Sequence, residues 1–133
     1  MIKIILLTLI FNVQAASLIR LDNIGIEEIT PFSHKYELII EDNCAFCLSQ
    51  LSILKECVDH KDVIVFINNK NKLTEEQLQR LVRKKKISFK TYIIDEDFKQ
   101  KYEFTGVTPK MWINKDKKKN SFIGVVSCEK LKA

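Results

Sequence analysis

The residues with the clearest chemistry are two cysteines, Cys44 and Cys47, separated by Ala45 and Phe46. An apolar run before them predicts a buried strand, and apolar residues at steps of four, three and four from Cys47 onward predict a helix. A cysteine at the start of a helix faces free backbone N–H groups and the positive end of the helix dipole, which lower the pKa of its thiol. The second cysteine, one turn on, can attack a mixed disulfide formed by the first. The pattern therefore predicts thiol–disulfide exchange at a turn from strand to helix.

Zinc sites and structural disulfides use the same cysteine spacing, so the motif alone leaves both alternatives open. The two histidines, His34 and His60, would complete a ligand set of two thiolates and two imidazoles with the cysteine pair. Neither histidine lies at a zinc-finger spacing from the cysteines, and His60 is expected at the far end of the helix. We therefore predict no metal ion and no other cofactor.

The remaining chain predicts the strands and helices that position this turn. Residues 62–67 are apolar on both faces, as in a central parallel strand with helices on both sides. Thr74 and Gln77 form a capping box that starts the next helix. The other predicted elements are an edge strand at 18–21, a connector that ends at Pro31, a strand at 36–41, the cysteine helix from 44 to about 59, a strand at 89–94, a short helix capped by Asp95, hairpin strands at 110–114 and 121–126 around a charged turn, and a short helix from about Cys128. This order predicts an α/β fold, a central mixed sheet with helices on both faces.

The composition is that of one globular domain. The chain has 133 residues and a formal net charge of +5, much of it in the lysine runs at 84–86 and 117–119. Such runs are typical of solvated helix ends and turns, although they also suit acidic partners or an anionic membrane surface. The chain has few glycines, no phosphate-binding loop and no aromatic residues among the lysines, so we predict no nucleic-acid partner.

The first residues predict export. A short positive start, an apolar stretch at 4–11 and small residues up to Ala15 are typical of a signal peptide, which gives a leader at 1–15 and one domain at 16–133. The apolar stretch is too short to span a bilayer permanently, so we expect no stable membrane anchor after cleavage. The alternative is a buried strand of a cytosolic domain. Export predicts a periplasmic or secreted protein, in which four cysteines can form disulfides.

Residues 106–109, Gly-Val-Thr-Pro, lead directly into the predicted terminal hairpin. Together with the cysteine pair and the order of elements, this segment resembles the thioredoxin superfamily, and most of all its small exported thiol:disulfide oxidoreductases. The resemblance covers Tyr36 to the C-terminus. It implies that Pro109 follows a cis peptide bond and lies against the cysteines, and that the backbone of Thr108 pairs with an extended substrate. A trans proline at the start of an edge strand is the alternative.

The resemblance also implies the surroundings of the site. Gly124 matches the family's glycine in the last strand, where a side chain would crowd the active-site surface; a simple bulge is the alternative. Phe46 is expected in an exposed turn, where it contacts a partner or packs on the Pro109 loop. Trp112 and Phe122 are expected in the core of the hairpin.

Three features depart from the pattern of thioredoxins. Asn43 stands where they have a tryptophan, and Leu38 stands where they have a buried aspartate that accepts a proton. The dipeptide between the cysteines is neither the Gly-Pro of the reductants nor the Pro-His of the strong oxidants. Glu41 or Asp42 is a candidate for the missing base, with a solvated turn carboxylate as the alternative. The departures leave the direction of electron flow open.

Two further cysteines, Cys57 and Cys128, invite a second disulfide in an exported protein. The resemblance places Cys57 at the far end of the cysteine helix and Cys128 at the end of the sheet that carries the cysteine pair. A bond between them would then have to cross the domain, which disulfide geometry does not allow. We therefore expect Cys57 to be a small buried apolar residue and Cys128 either a passive thiol or a thiol that exchanges with Cys44.

These observations predict an enzyme, an exported thioredoxin-like thiol:disulfide oxidoreductase. Cys44 is the expected nucleophile, Cys47 the resolving thiol, and Thr108, Pro109 and Phe46 the expected substrate contacts. The expected partners are protein thiols and disulfides and a redox partner protein. The alternative is a non-catalytic thioredoxin-fold binding module with a structural disulfide, and a metal-binding chaperone is the third interpretation.

Overall fold

A computed structural model describes residues 15–23 and 25–133 of the chain. The predicted signal peptide, apart from its last residue Ala15, lies outside the described residues. In the described part, no helix is long and apolar enough to cross a membrane.

The described residues form seven strands and four α-helices. The strands are β1 (Ala16–Arg20), β2 (Gly25–Ile29), β3 (Tyr36–Glu41), β4 (Val63–Asn68), β5 (Lys90–Ile93), β6 (Lys110–Lys115) and β7 (Lys118–Ile123). The helices are α1 (Ala45–Cys57), α2 (Glu75–Lys84), α3 (Glu96–Lys101) and α4 (Cys128–Lys132). A turn of 3₁₀ helix at His60–Asp62 leads into β4.

The strands form one mixed sheet in the order β2-β1-β5-β4-β3-β6-β7. The central pairs β3–β4 and β4–β5 are parallel, and the remaining pairs are antiparallel. Parallel neighbours need a crossover connection, which α1 provides between β3 and β4 and α2 provides between β4 and β5. The carboxyl ends of β3 and β4 therefore meet at the same edge of the sheet, where Glu41 lies opposite Asn68.

Each face of the sheet carries its own hydrophobic core, because successive residues of a strand point to opposite faces. One core joins Leu38 and Val65 to Leu54 of α1, Leu78 of α2 and Leu131 of α4. The other core lies beneath α3 and holds a cluster of aromatic side chains, namely Phe66, Tyr92, Phe98, Tyr102 and Trp112. All six residues of β4 are buried, as its position at the centre of a covered sheet requires.

The structure confirms the predicted α/β architecture, with a mixed sheet between helices on both faces. Three strands differ from the prediction. The predicted edge strand at 18–21 is β1, Ala16–Arg20, and it lies between β2 and β5 rather than at the edge of the sheet. Residues 25–29 form β2, where we expected a connector. Strand β7 begins at Lys118 because a tight turn needs only Asp116 and Lys117, which have φ angles of 50° and 65°. The lysines that suggested a longer turn lie on an exposed edge strand, where charged side chains are favourable.

The prediction for the second cysteine pair was wrong. Cys57 and Cys128 are joined by a disulfide, with Cα atoms 5.8 Å apart, and both side chains are partly exposed. The prediction assumed that Cys128 stays at the edge of the sheet where β7 ends. Instead, residues 124–127 carry the chain back along α1, and four extended residues span roughly 13 Å. Cys128 therefore begins α4 beside the last turn of α1.

Candidate active site

Cys44 occupies the N-cap position of α1. Its extended backbone (φ −144°, ψ 103°) lets the sulfur turn back and accept a hydrogen bond from the backbone N–H of Cys47 at 3.2 Å. The first turn of the helix contains no acidic residue that would oppose a negative charge there. Cys44 and Cys47 form a disulfide with Cα atoms 5.2 Å apart. The turn thus provides hydrogen-bond and dipole stabilisation for a thiolate on Cys44 when the pair is reduced.

The two sulfurs of the pair differ in access to solvent. Cys47 points into the core with Leu51 and Leu54 and is 1% exposed, whereas Cys44 is partly exposed. Phe46, between them, is 68% exposed. An incoming substrate sulfur can therefore reach Cys44, while Cys47 is accessible only from within the site.

The segment before β6 lies against Cys44. The peptide bond between Thr108 and Pro109 is cis, and Pro109 is buried. The hydroxyl oxygen of Thr108 lies 3.6 Å from the sulfur of Cys44, within hydrogen-bonding distance, so the proline turn lies beside the start of α1. The carbonyl of Pro109 accepts the backbone N–H of Gly124 at 2.9 Å, so the chain after β7 is joined to the same turn.

Gly124 plays a different part from the expected one. A Cβ atom built on Gly124 would meet nothing within 4 Å, so crowding does not explain the glycine. Its φ angle is +95°, a backbone conformation that residues other than glycine rarely adopt. The glycine therefore serves the change of chain direction after β7.

Of the two candidate carboxylates, the structure brings Glu41 to the site. Glu41 Oε1 accepts the hydroxyl of Thr108 at 3.3 Å, and Glu41 Oε2 accepts the side-chain amide of Asn68 at 2.8 Å. Asp42 instead bonds to Asn71 on the exposed turn after β4. Asn68 was not predicted from the sequence, although an amide that ends a buried parallel strand is a signal for the sheet edge where such sites form.

Gln50 is a second residue that the sequence analysis missed. Its side chain is fully buried on α1, where its amide donates to the carbonyl of Val126 at 3.1 Å and accepts the N–H of Val126 at 2.6 Å. Both polar groups of one backbone residue are thus satisfied by one side chain. The signal was an amide on the apolar stripe of an amphipathic helix. This contact holds residues 124–127 against α1 between the two disulfides.

Exposed apolar side chains surround the cysteine turn. Phe46 and Leu48 lie on α1, Val107 precedes Thr108, and Val125 follows Gly124, with exposed fractions of 68%, 38%, 49% and 42% respectively. Because the segments of Val107 and Val125 are joined through Pro109 and Gly124, these side chains flank the proline turn. Apolar surface of this kind suits contact with a partner chain.

The other predicted residues lie away from this site. His60 packs on the ring of Phe89, and the His34 ring lies beside Ser33, with the pKa of His34 lowered mainly by burial. Trp112 is buried and Phe122 packs at the edge of the core. In residues 15–23 and 25–133, no three His, Cys, Asp or Glu side chains lie close enough together to hold a metal ion.

No protein-family model and no curated protein matches the sequence, but solved structures share its fold. StoA from Bacillus subtilis aligns with a TM-score of 0.61 at 13% identity, covering 86% of this chain and 93% of StoA. The pneumococcal exposed lipoprotein thioredoxin Etrx1 from Streptococcus pneumoniae aligns with a TM-score of 0.65 at 14% identity, covering 89% and 95%. A secreted Mycobacterium tuberculosis disulfide oxidoreductase aligns with a TM-score of 0.60 at 12% identity, covering 87% and 90%. The chain therefore has a thioredoxin-like fold, as predicted.

Proposed function

We propose that this protein is a thiol:disulfide oxidoreductase that exchanges disulfides with protein substrates through Cys44 and Cys47. The observation that carries the proposal is the unequal access of the two sulfurs, because Cys44 is partly exposed at a helix N-terminus while Cys47 is 1% exposed. A structural disulfide needs no such difference, whereas exchange needs one sulfur to meet the substrate and another to resolve the intermediate.

The reaction proceeds through a mixed disulfide. In the reduced enzyme the Cys44 thiolate attacks a substrate disulfide, which forms a bond between Cys44 and one substrate sulfur and releases the other as a thiolate. Cys47, one helical turn away, then attacks Cys44 and releases the second substrate thiol. The same steps in reverse transfer the Cys44–Cys47 disulfide to a pair of substrate thiols, so a redox partner protein sets the direction.

The substrate is held at the proline turn. The backbone of Thr108 pairs with an extended substrate segment, as an added strand. Phe46, Val107 and Val125 supply the apolar contacts beside it, which favours substrates with apolar residues next to the reacting cysteine. The proposed setting is the periplasm or the exterior of the cell, after removal of the signal peptide. The fold is shared with StoA, the lipoprotein Etrx1 and a secreted oxidoreductase, which supports that setting.

A trapping experiment tests this assignment. With Cys47→Ala, the mixed disulfide on Cys44 cannot be resolved, so covalent adducts with substrate proteins accumulate and disappear on reduction. With Cys44→Ala no adducts form, because Cys47 is buried. The matched control is Cys57→Ala combined with Cys128→Ala, which removes the disulfide outside the site without leaving a free thiol there and should trap nothing. Equal trapping by the Cys44 and Cys47 variants, or by neither, contradicts the assigned roles.

A binding module is the second candidate. Leu38, at the position of the proton-accepting aspartate of thioredoxins, is fully buried in an apolar core and offers no base. If the Cys44–Cys47 disulfide is only structural, the wild-type protein binds its partner without exchanging disulfides with it, and replacing both cysteines by serine removes no exchange activity. Loss of partner exchange without loss of partner binding in that double variant favours the oxidoreductase.

A further inference from the structure

We propose that Glu41 is the proton acceptor for Cys44 and that it acts through the hydroxyl of Thr108. This inference rests on the proposed function, because it assigns a role within the same site. Leu38 stands where thioredoxins have their proton-accepting aspartate and offers no carboxylate. Glu41 supplies a carboxylate from the end of β3 instead, and the hydroxyl of Thr108 connects it to Cys44.

The geometry consists of three groups in series. Thr108 Oγ1 lies 3.6 Å from the sulfur of Cys44 and 3.3 Å from Glu41 Oε1. A hydroxyl has one proton and two acceptor lone pairs, so it can accept a hydrogen bond from one neighbour while it donates to the other. Thr108 is therefore able to pass a proton between the thiol and the carboxylate without moving from its position.

Asn68 fixes the carboxylate in the orientation that this path needs. It is 6% exposed at the end of β4, and its amide donates to Glu41 Oε2 at 2.8 Å. With that oxygen occupied, the other carboxylate oxygen is directed to Thr108. Asp42 has no such arrangement, because Asn71 holds its two oxygens at 3.0 and 3.1 Å on the exposed turn.

The proton transfer balances with the exchange reaction. Before Cys44 attacks a substrate disulfide, its thiol proton moves to the oxygen of Thr108 as the hydroxyl proton of Thr108 moves to Glu41, which leaves the Cys44 thiolate. The substrate S–S bond breaks, a bond forms between Cys44 and one substrate sulfur, and the electron pair leaves on the other sulfur. The departing thiolate then takes a proton from solvent, and Glu41 gives its proton to solvent, so a neutral thiol is formed and the carboxylate is restored.

Few other charged groups surround this path. Residues 104–109 and 122–127 contain no titratable side chain. Lys110, next to the proline turn, donates its ammonium to the carbonyl of Glu103 at 2.6 Å. On the segments that adjoin the path, titratable side chains also stand at Asp42, next to Glu41, at Cys47 in the first turn of α1, and at the exposed Lys70 and Lys72 of the turn that carries Asn71.

A double-mutant cycle tests the path. The readout is the pH midpoint for iodoacetamide alkylation of Cys44 in the reduced protein, followed by mass spectrometry of the Cys44 peptide. Glu41→Gln removes a negative charge coupled to the thiolate, so the midpoint should fall by about one pH unit, a tenfold change in the thiolate fraction below it. Thr108→Val removes the hydroxyl donor to the thiolate and should raise the midpoint.

The decisive result is the effect of Glu41→Gln in the Thr108→Val background. If Glu41 acts through the hydroxyl, the shift falls to less than about a third of its value in the wild-type background, because the two residues are coupled. Asp42→Asn is the matched control, and its shift should be the same in both backgrounds. Thr108→Ser keeps the hydroxyl and should keep the full Glu41 effect. Should Thr108→Val fail to fold, Thr108→Ala takes its place in the cycle.

An equal Glu41→Gln shift in both backgrounds would overturn the proposal, because Glu41 would then act only by its field through space. The absence of any shift with Glu41→Gln would overturn it as well. The experiment uses iodoacetamide and needs no protein substrate, so its outcome is separate from that of the trapping experiment. A coupled pair without trapping would leave the proton path in place and contradict only the proposed substrate exchange.

Discussion

The two disulfides lie at opposite ends of α1 and have opposite surroundings. Cys44 and Cys47 are three positions apart, beside exposed apolar side chains, a threonine hydroxyl and a carboxylate. Cys57 and Cys128 are 71 positions apart and join α1 to α4. The Cys44–Cys47 bond forms a very short loop that constrains little of the chain, so it is suited to repeated reduction and oxidation. The long bond restricts the unfolded chain and is suited to holding the domain together.

The largest difference between the two pairs should appear in exchange activity. Cys44→Ser removes the nucleophile and should lower the rate of disulfide exchange with a protein substrate by on the order of a hundredfold or more. Cys57→Ser combined with Cys128→Ser should change that rate by less than about twofold, provided that the protein is assayed well below its unfolding temperature. A comparable loss in both variants would contradict the division of roles.

The second difference should appear in stability. Loop-closure entropy gives the long disulfide about 4 kcal/mol and the short one about 2 kcal/mol of stabilisation, because the unfolded chain loses more freedom in the longer loop. Cys57→Ser with Cys128→Ser should therefore lower the free energy of unfolding in urea more than Cys44→Ser with Cys47→Ser. The reverse order would show that the Cys44–Cys47 disulfide contributes more to the free energy of unfolding than the Cys57–Cys128 disulfide.

A smaller loss of stability should follow from Gln50→Leu, which tests whether Gln50 connects α1 to residues 124–127, between the two disulfides. The substitution leaves the backbone N–H and C=O of Val126 buried without their partner and should cost about 1–3 kcal/mol in urea unfolding. The exposed neighbour Ser49 serves as the control, and Ser49→Ala should change the free energy of unfolding by less than about 0.5 kcal/mol. Equal effects of the two substitutions would mean that the Gln50 contact is not a structural link.

The smallest effect concerns Glu37, whose carboxyl group lies at the end of β3 that is farther from the site. Burial raises the pKa of Glu37 above its usual value of 4.5, although Tyr102 and backbone N–H groups donate to it. The folded state then holds this proton more tightly than the unfolded state. The contribution of Glu37 to stability is full below pH 4.5 and is lost as the pH rises through its folded-state pKa.

The difference in unfolding free energy between the wild type and Glu37→Gln should therefore change across that pH range, with a slope of at most about 1.4 kcal/mol per pH unit. Glu41→Gln should leave this pH dependence unchanged, because Glu41 is at the other end of the strand and belongs to the site. A wild-type stability that instead increases with pH through this range, relative to Glu37→Gln, would contradict the raised pKa.

Much of the fold was accessible from local sequence signals. The capping box of Thr74 and Gln77 and the cap at Asp95 both lie where they were predicted, because caps depend on a few adjacent residues. Strand β2 was missed because Glu27 and Glu28 interrupt its apolar pattern, while the ion pair of Glu27 with Arg20 stabilises it from the neighbouring strand. That contact is not visible within a short window of sequence.

Only part of the site could be predicted from the sequence, for the same reason. The cysteine turn is local and its helix begins at Ala45, next to the predicted start. The relation of Glu41 to Thr108 joins residues 67 positions apart and depends on which strands are neighbours in the sheet. The Cys57–Cys128 bond likewise depends on the path of residues 124–127, which no residue pattern in that segment specifies.

The most direct test is to measure which disulfide opens first. The protein is equilibrated with glutathione buffers of graded potential, and each cysteine is scored by differential alkylation and mass spectrometry. Exchange at Cys44 predicts that the Cys44–Cys47 pair titrates reversibly between about −270 and −120 mV, the span of known oxidoreductases of this chemistry, while Cys57–Cys128 stays oxidised throughout. A Cys44–Cys47 bond that glutathione does not reduce, or a Cys57–Cys128 bond that opens first, would contradict the assignment of the active pair.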